Sequence, residues 1–454
     1  MTTSSTIKSN KRTMSRRRTV VASCGLASVA AVGYCVLLSS SAPMINQQTS
    51  RNYTRTTDEP GTKFTRNKNG RTFLGYTSSA WEEEWLNNLD AWQDERSICD
   101  HVLSTNEWPK MMKSLEATCN RFPVEEEGKS PWCIMDDNYS HRHGGVYYNR
   151  ETGQLAIGQN AAPDLASVEF EAKTRPLDPS AEYEDVLSKF TYRNEGTNET
   201  YDEYIEPLVS HLRHPLAKCA GHPDFAKHVI SGSSAWSWIP GLRKRKENMV
   251  LTLARGYLIP PPPPHSISST SAKTYLFDAG ASNWFEGAGG PSLSVLTELF
   301  ERNGRSFDDV RAFEGSTSPE TFDKIVPQEW KDKTTFQQAW IRSRPDVPAT
   351  SDASLDGPFL PTHIASIVTK DDYVVFKLDI DSPEVEGNTV LHLLSDEGAE
   401  DLSYIDEFFW EHHVTGNYLM RPNWGIVPGG LSIRDSAELF LRLRRRGVRA
   451  HSWV

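Results

Sequence analysis

Four short runs in the C-terminal half of the chain carry residue types that bind and process small polar ligands. The first, Asp278-Ala-Gly280-Ala-Ser282, ends the apolar run 274–278 (TYLFD). At a strand end a glycine lets the backbone approach a ligand, and the acid supplies a hydrogen-bond acceptor. The second, Glu314-Gly315, closes residues 310–314 (VRAFE), a position where a carboxylate can accept both hydroxyls of a ribose. The third, Lys377-Leu-Asp379-Ile-Asp381-Ser-Pro-Glu384, leaves an apolar run and leads into a helix. The fourth, Glu411-His412-His413, follows residues 404–410 (YIDEFFW). Histidine titrates near neutral pH, so one at a strand end beside a cleft could take a proton from an acceptor hydroxyl. Neighbouring strand residues face opposite ways, so at most one of the two histidines reaches a given site. A pair bonded locally at a strand end is the plainer alternative. A metal held by Asp379, Asp381 and either His412 or His413 is a third, because carboxylates and imidazole suit divalent ions.

The elements that must position these runs alternate between strand and helix, the pattern of a parallel α/β sheet. Strands are expected at 274–278, 310–314, 336–341, 373–378, 404–410 and 448–454. Residues 373–378 (YVVFKL) are apolar enough to be covered on both faces. Leu293, Leu296, Leu299 and Phe300 mark a helix with Pro291 near its first turn and Gly304 beyond its end. Ser382-Pro383 opens another helix. Ser432 and Asp435 are spaced as a capping box for a last helix that reaches Arg446 and stops at Gly447. The run Arg442, Arg444, Arg445, Arg446 and Arg449 lies at that helix end, where cations complement the dipole, and reads as structural.

Together, LFDAGAS, VRAFEGS and FKLDIDSPE resemble three motifs of the FkbM-type S-adenosylmethionine-dependent methyltransferases, whose pattern runs D-x-G-A-N, F-E-P and K-[IL]-D-[VI]-E-G-x-E. The resemblance covers about 180 residues, 273–454. It implies a doubly wound, mostly parallel Rossmann-like sheet of seven strands and methylation of a hydroxyl on a sugar or other small acceptor. By position, Asp278, Gly280, Ser282, Glu314, Gly315 and Asp379 would hold the cofactor S-adenosylmethionine. Asp381, Glu411, His412 and His413 would carry the acceptor chemistry. The chain departs from the pattern at Ser282, Gly315 and Ser382-Pro383, and 36 residues separate Asp278 from Glu314. Two other readings use the same residues. In a Golgi-type glycosyltransferase, Asp379-Ile-Asp381 would be the DxD pair that binds a metal and a sugar diphosphate. In the other, a degenerate Rossmann module is a lumenal binding protein without activity.

The N-terminal half sets the compartment. Residues 1–18 hold Lys8, Lys11, Arg12, Arg16, Arg17 and Arg18 and no acid. Residues 19–38 hold no charge and are long enough to cross a bilayer as a helix. A basic flank on the N-terminal side predicts a type II signal anchor over 19–41, with the body in the lumen of the Golgi or ER. A cleaved signal peptide, with Ser40 and Ala42 at the cleavage site, is the rival. Residues 42–78 read as a stem, 79–259 as a cysteine-containing α+β region, and 260–272, with five consecutive prolines, as an extended linker. Helices are expected from Trp81 through Trp92 and from Tyr201 to Arg213. Asn52, Asn138 and Asn198 head glycosylation triplets. Cys99, Cys119, Cys133 and Cys219 permit two disulfides in three connectivities. Removing the six N-terminal cations from a formal charge of −11 leaves −17 for the rest, which excludes a general nucleic-acid binder. The expected partners are a small-molecule or glycan acceptor and the membrane.

Overall fold

The computed structural model describes residues 66–89, 95–119, 132–136, 145–149, 151–158, 181–210, 219, 222–231, 258–259, 272–285, 292–301, 303–414 and 431–453. The expected anchor at 19–41, most of the stem and most of the proline-rich linker lie outside these residues. Among the described residues no helix is long and apolar enough to cross a membrane.

The strands, numbered in chain order, form three sheets. Strands β1 (Arg66–Lys68), β2 (Arg71–Thr77), β6 (Ser188–Asn194) and β7 (Thr200–Ile205) make an antiparallel sheet in the order β1-β2-β6-β7. A second sheet, β3-β4-β5-β8, comprises β3 (Trp132–Asp136), β4 (Gly145–Asn149), β5 (Leu155–Gly158) and β8 (Val229–Ser231). The third holds β9 (Thr274–Ala279), β10 (Asp309–Glu314), β11 (Thr334–Gln338), β12 (Tyr373–Leu378), β13 (Glu407–Trp410) and β14 (Arg449–Ser452). Its order is β11-β10-β9-β12-β13-β14 and every pairing is parallel. Counted within the domain this is 3-2-1-4-5-6, the order of the Rossmann fold. Among the described residues the sheet has six strands, where the family resemblance implies seven, and β14 pairs directly with β13.

Alternating residues send the sheet's two faces into different cores. Tyr275, Phe277 and Ala279 of β9 and Val374, Phe376 and Leu378 of β12 meet helices Leu360–Ile367, Pro383–Leu394 and Ile433–Arg445. On the other face Leu276, Val310, Val375 and Phe409 meet Leu293, Leu296 and Phe300 of helix Ser292–Glu301. Covering both faces is what a parallel sheet requires.

The polar edge strand β14 (RAHS) is buried throughout, which its composition does not suggest. Charge pairing with the N-terminal region makes that burial possible. Arg449 Nε lies 2.9 Å from Glu407, and its Nη2 donates to the carbonyls of Tyr204 (3.1 Å) and Ile259 (2.8 Å). His451 bridges Glu206 and Glu407. Arg444, also buried, donates to the Tyr76 hydroxyl and the Glu206 carbonyl and sits 3.3 Å from Glu82. Lys68 and Arg66 of β1 pair with Asp406. The arginine run at the last helix is therefore structural, but Arg444 and Arg449 act through buried ion pairs more than through the helix dipole.

One expectation changes in the N-terminal region. Residues 200–205 form β7 and residues 208–210 a 3-10 turn, where apolar spacing suggested one helix over 201–213. Tyr204 and Ile205 are buried because β7 pairs with β6, so a pattern resembling period 3.6 came from a strand followed by a turn. Cys99 and Cys219 form a disulfide within the core that also holds Trp81, Trp85 and Leu103. The side chains of Cys119 and Cys133 lie outside the described residues. Asn198 sits exposed in the β6–β7 turn. Helix Ala80–Asn88 starts at Ser79, whose hydroxyl accepts from the Glu82 amide.

The disulfide spans 120 residues of chain. Loops of that length give about 4–5 kcal/mol of stabilisation in the chain-entropy treatment. A Cys99→Ser/Cys219→Ser double variant should lose about that much in urea denaturation. An unchanged midpoint would show that the bond contributes nothing.

Candidate functional site at the strand ends

The sequence turns back at β9, so the carboxyl ends of β9 and β12 part to either side of the topological switch point. Lys377 of β12 and Asp278 of β9 are direct register partners facing the same core. Lys377 Nζ lies 3.1 Å from Asp278 and 3.1 Å from Asp379, and Ser292 Oγ donates to the other Asp278 oxygen at 2.6 Å. Burial lowers the affinity of Lys377 for its proton, but the two carboxylates outweigh it and hold the ammonium well above its ordinary value. Burial also raises the Asp278 carboxyl, with Lys377 and Ser292 opposing. Asp379 is pushed up by burial and brought down further by Lys377 and a hydrogen bond with Glu411, so its carboxyl lies below its ordinary value. Asp278 thus anchors the strand end from inside and presents no carboxylate to a ligand.

Gly280 follows at φ +95°, and a Cβ there would lie 1.6 Å from the Asp379 carbonyl oxygen. Only glycine permits this crossing of the two loops. The amides of Gly280 and Ala281 donate to the Phe313 carbonyl, carrying the β9–β10 pairing past the strand. Ser282 is half-buried, and its carbonyl accepts from Thr317.

At the end of β10, Glu314 is half-buried, with one carboxylate oxygen accepting from the amide and hydroxyl of Ser316. Gly315 lies under the indole of Trp340, which follows β11; a Cβ would meet that ring at 2.3 Å. Backbone hydrogen bonds with Leu355 and Gly357 fix Trp340, and the residue is 40% exposed. An acid and a partly exposed indole therefore lie at the ends of adjacent strands. Trp340 belongs to no motif in the sequence. The signal that could have found it is Gly315, a residue with no side chain where the family pattern has proline.

Beyond β12 and β13 the site is acidic. Asp381 is exposed and has φ +55°, a left-handed conformation uncommon outside glycine. Burial and Asp379 raise its carboxyl, with His413 opposing. His413 Nε2 lies 3.5 Å from Glu411 and 3.8 Å from Asp381, while both His413 and Glu411 are buried. His412 turns to the opposite face, as alternation requires. Its Nδ1 is 2.7 Å from Ser436 Oγ, and its ring stacks on Trp410 at 3.9 Å. The structure thus brings together Asp379, Asp381, Glu411 and His413, and separates His412 from them.

Sequence reasoning missed Glu386. In the FKLDIDSPE motif the glutamate quoted was Glu384, which is exposed. Glu386, fully buried in the first turns of helix Pro383–Leu394, accepts from the amides of Ile380 and Ser382 through one oxygen. Its charged neighbours are His413, Glu411 and Asp379. The α+β region has its own cleft of about 570 Å³, lined by Trp108, Lys113, Tyr148 and His228 among others, and it shares no residue with the strand-end site.

No protein-family model, curated protein or solved structure matches this chain.

Burial pushes the Glu386 carboxyl from 4.5 up to about 8, with Glu411 and Asp379 adding to the rise and His413 opposing it. Between those values the folded chain holds a proton that the unfolded chain has released. Stability therefore falls as pH rises across that window. In protein stripped of divalent ions, Glu386→Gln should raise the urea midpoint at pH 8 and have little effect near pH 4.5. A variant that matches wild type at pH 8 would show that Glu386 is charged at no cost in the folded state.

Proposed function

We propose that the strand-end site binds the nucleoside of S-adenosylmethionine and that the protein transfers its methyl group to a hydroxyl of a small or glycan acceptor. The observation that carries this reading is the placement of half-buried Glu314 at the end of β10 and of the partly exposed Trp340, packed on Gly315, just past the end of β11. A carboxylate suits two ribose hydroxyls, and an exposed indole suits a nucleobase. Gly280 lets the chain pass close to the ligand at the switch point. These residues fit a nucleoside better than they fit a sugar diphosphate, whose phosphates would need cations or free amides. The resemblance of the three strand-end runs to FkbM-type enzymes points the same way.

When bound, the cofactor would supply an electrophilic methyl group. The protein would align the acceptor and accept one proton. Asp381 is the group this reading gives that role, because it is exposed at the acidic side of the cleft and faces His413. The glycosyltransferase reading needs Asp379 and Asp381 as a free pair. The ion pair of Asp379 with Lys377 weighs against it.

Charge-assisted hydrogen bonds to the ribose are each worth about 1.5–3 kcal/mol. Glu314→Ala should therefore weaken S-adenosylhomocysteine binding by roughly tenfold to a few hundredfold in calorimetry, with the melting temperature held. Wild-type protein that ignores S-adenosylhomocysteine and binds a UDP-sugar with Mn²⁺ would replace this reading with the glycosyltransferase.

A further inference from the structure

Five carboxylates gather where β12 and β13 end: Asp278, Asp379, Asp381, Glu386 and Glu411. Lys377 is spent on Asp278 and Asp379. Of the remaining three, Asp381 and Glu411 lie within 3.8 Å of the His413 imidazole. Within this group Asp381, Glu411 and His413 each offer one ligand atom, all within 4.8 Å of one another. The His413 Nε2 separations of 3.5 and 3.8 Å are near the spacing of about 3.3 Å that tetrahedral ligands reach at metal bonds of about 2.0–2.1 Å.

A second, independent feature points to a cation site. One carboxylate oxygen of Glu386, Oε2, is buried and has no hydrogen-bond partner among the described residues, although the residue is fully enclosed. A buried carboxylate oxygen is nearly always paired with a donor or a metal. Its other oxygen accepts from the amides of Ile380 and Ser382, the residues on either side of Asp381, which places the carboxylate behind that ligand.

We propose that Asp381, Glu411 and His413 bind a divalent metal ion, with Glu386 as an additional carboxylate behind them. Two or three carboxylates with one imidazole favour Mn²⁺ or Zn²⁺ over Mg²⁺ and Ca²⁺, which prefer oxygen alone, and over soft Cu(I). The ligand set differs from a DxD pair, because Asp379 is held by Lys377 and the contribution of β13 replaces it. The ion has a clear use in the proposed reaction, since a hydroxyl bound to it loses its proton more readily. The site itself does not depend on methyl transfer.

The test uses the full chain stripped with chelator, with Mn²⁺ alone as the probe and no cofactor present. Calorimetry and the loss of the free Mn²⁺ paramagnetic resonance signal should show one ion per chain. Asp381→Asn should weaken binding by at least tenfold. Because Asp381 is exposed, this variant should fold as wild type does. His413→Gln should weaken binding as much, and Mn²⁺ should raise the melting temperature of wild type but of neither variant. Saturable binding that both variants retain would overturn the proposal, as would wild-type protein that binds no Mn²⁺. Neither result would bear on S-adenosylhomocysteine binding, so the two readings fail separately.

Discussion

A single ammonium organises the carboxyl end of the central sheet. Lys377 is enclosed between Asp278 of β9 and Asp379 beyond β12, and its Nζ also donates to the Ala279 carbonyl at 3.3 Å. Breaking a buried pair from one side costs on the order of 3–5 kcal/mol, because the other charge is left uncompensated. The two strands therefore end in one fixed geometry. From that point the loops diverge, Gly280 crosses the Asp379 carbonyl, and Asp381 is delivered to the rim in a left-handed conformation. Strain at a rim residue persists only where the surroundings over-determine it, and the clamp beneath supplies that determination.

Polar burial recurs at the far edge of the same sheet. Arg449, His451 and Arg444 sit among Glu407, Glu206 and Glu82, and with hydrogen bonds to Tyr76 and Tyr204 they tie β14 and the last helix to β2, β7 and helix Ala80–Asn88. Burial lowers the His451 imidazole, but Glu206 and Glu407 outweigh it, so the ring is held above its ordinary value. An exposed parallel edge strand would offer unpaired backbone groups to another chain. Here that edge is closed by side chains of the same protein. The residues that position the site and the residues that hold the two halves together are thus the same kind of interaction, ions paired out of water.

Much of this was legible in the sequence, and the limits have physical reasons. Residues 373–378 gave β12 outright, and the capping box at Ser432 and Asp435 gave the last helix, because apolar runs and caps are local signals. The strand-end acids were legible for the same reason. Trp340 and Glu386 were not, because their importance comes from what lies opposite: a glycine under the indole, and a histidine from the next strand beside the carboxylate. Strand β14 hid its burial behind a polar sequence. The helix expected over 201–213 failed because a strand and a turn can mimic helical spacing for a few residues. In the fourth run both histidines looked equal, and only the faces of the sheet separate His413 from His412.

We propose the switch point of the parallel sheet as a nucleoside site flanked by an acidic rim. The most direct measurement is a crystal structure of the protein grown with S-adenosylhomocysteine. The account predicts the ribose hydroxyls on the Glu314 carboxylate, the base against the Trp340 indole and the sulfur end toward Gly280. A nucleoside bound elsewhere, or an empty strand-end cleft at saturating ligand, would contradict it.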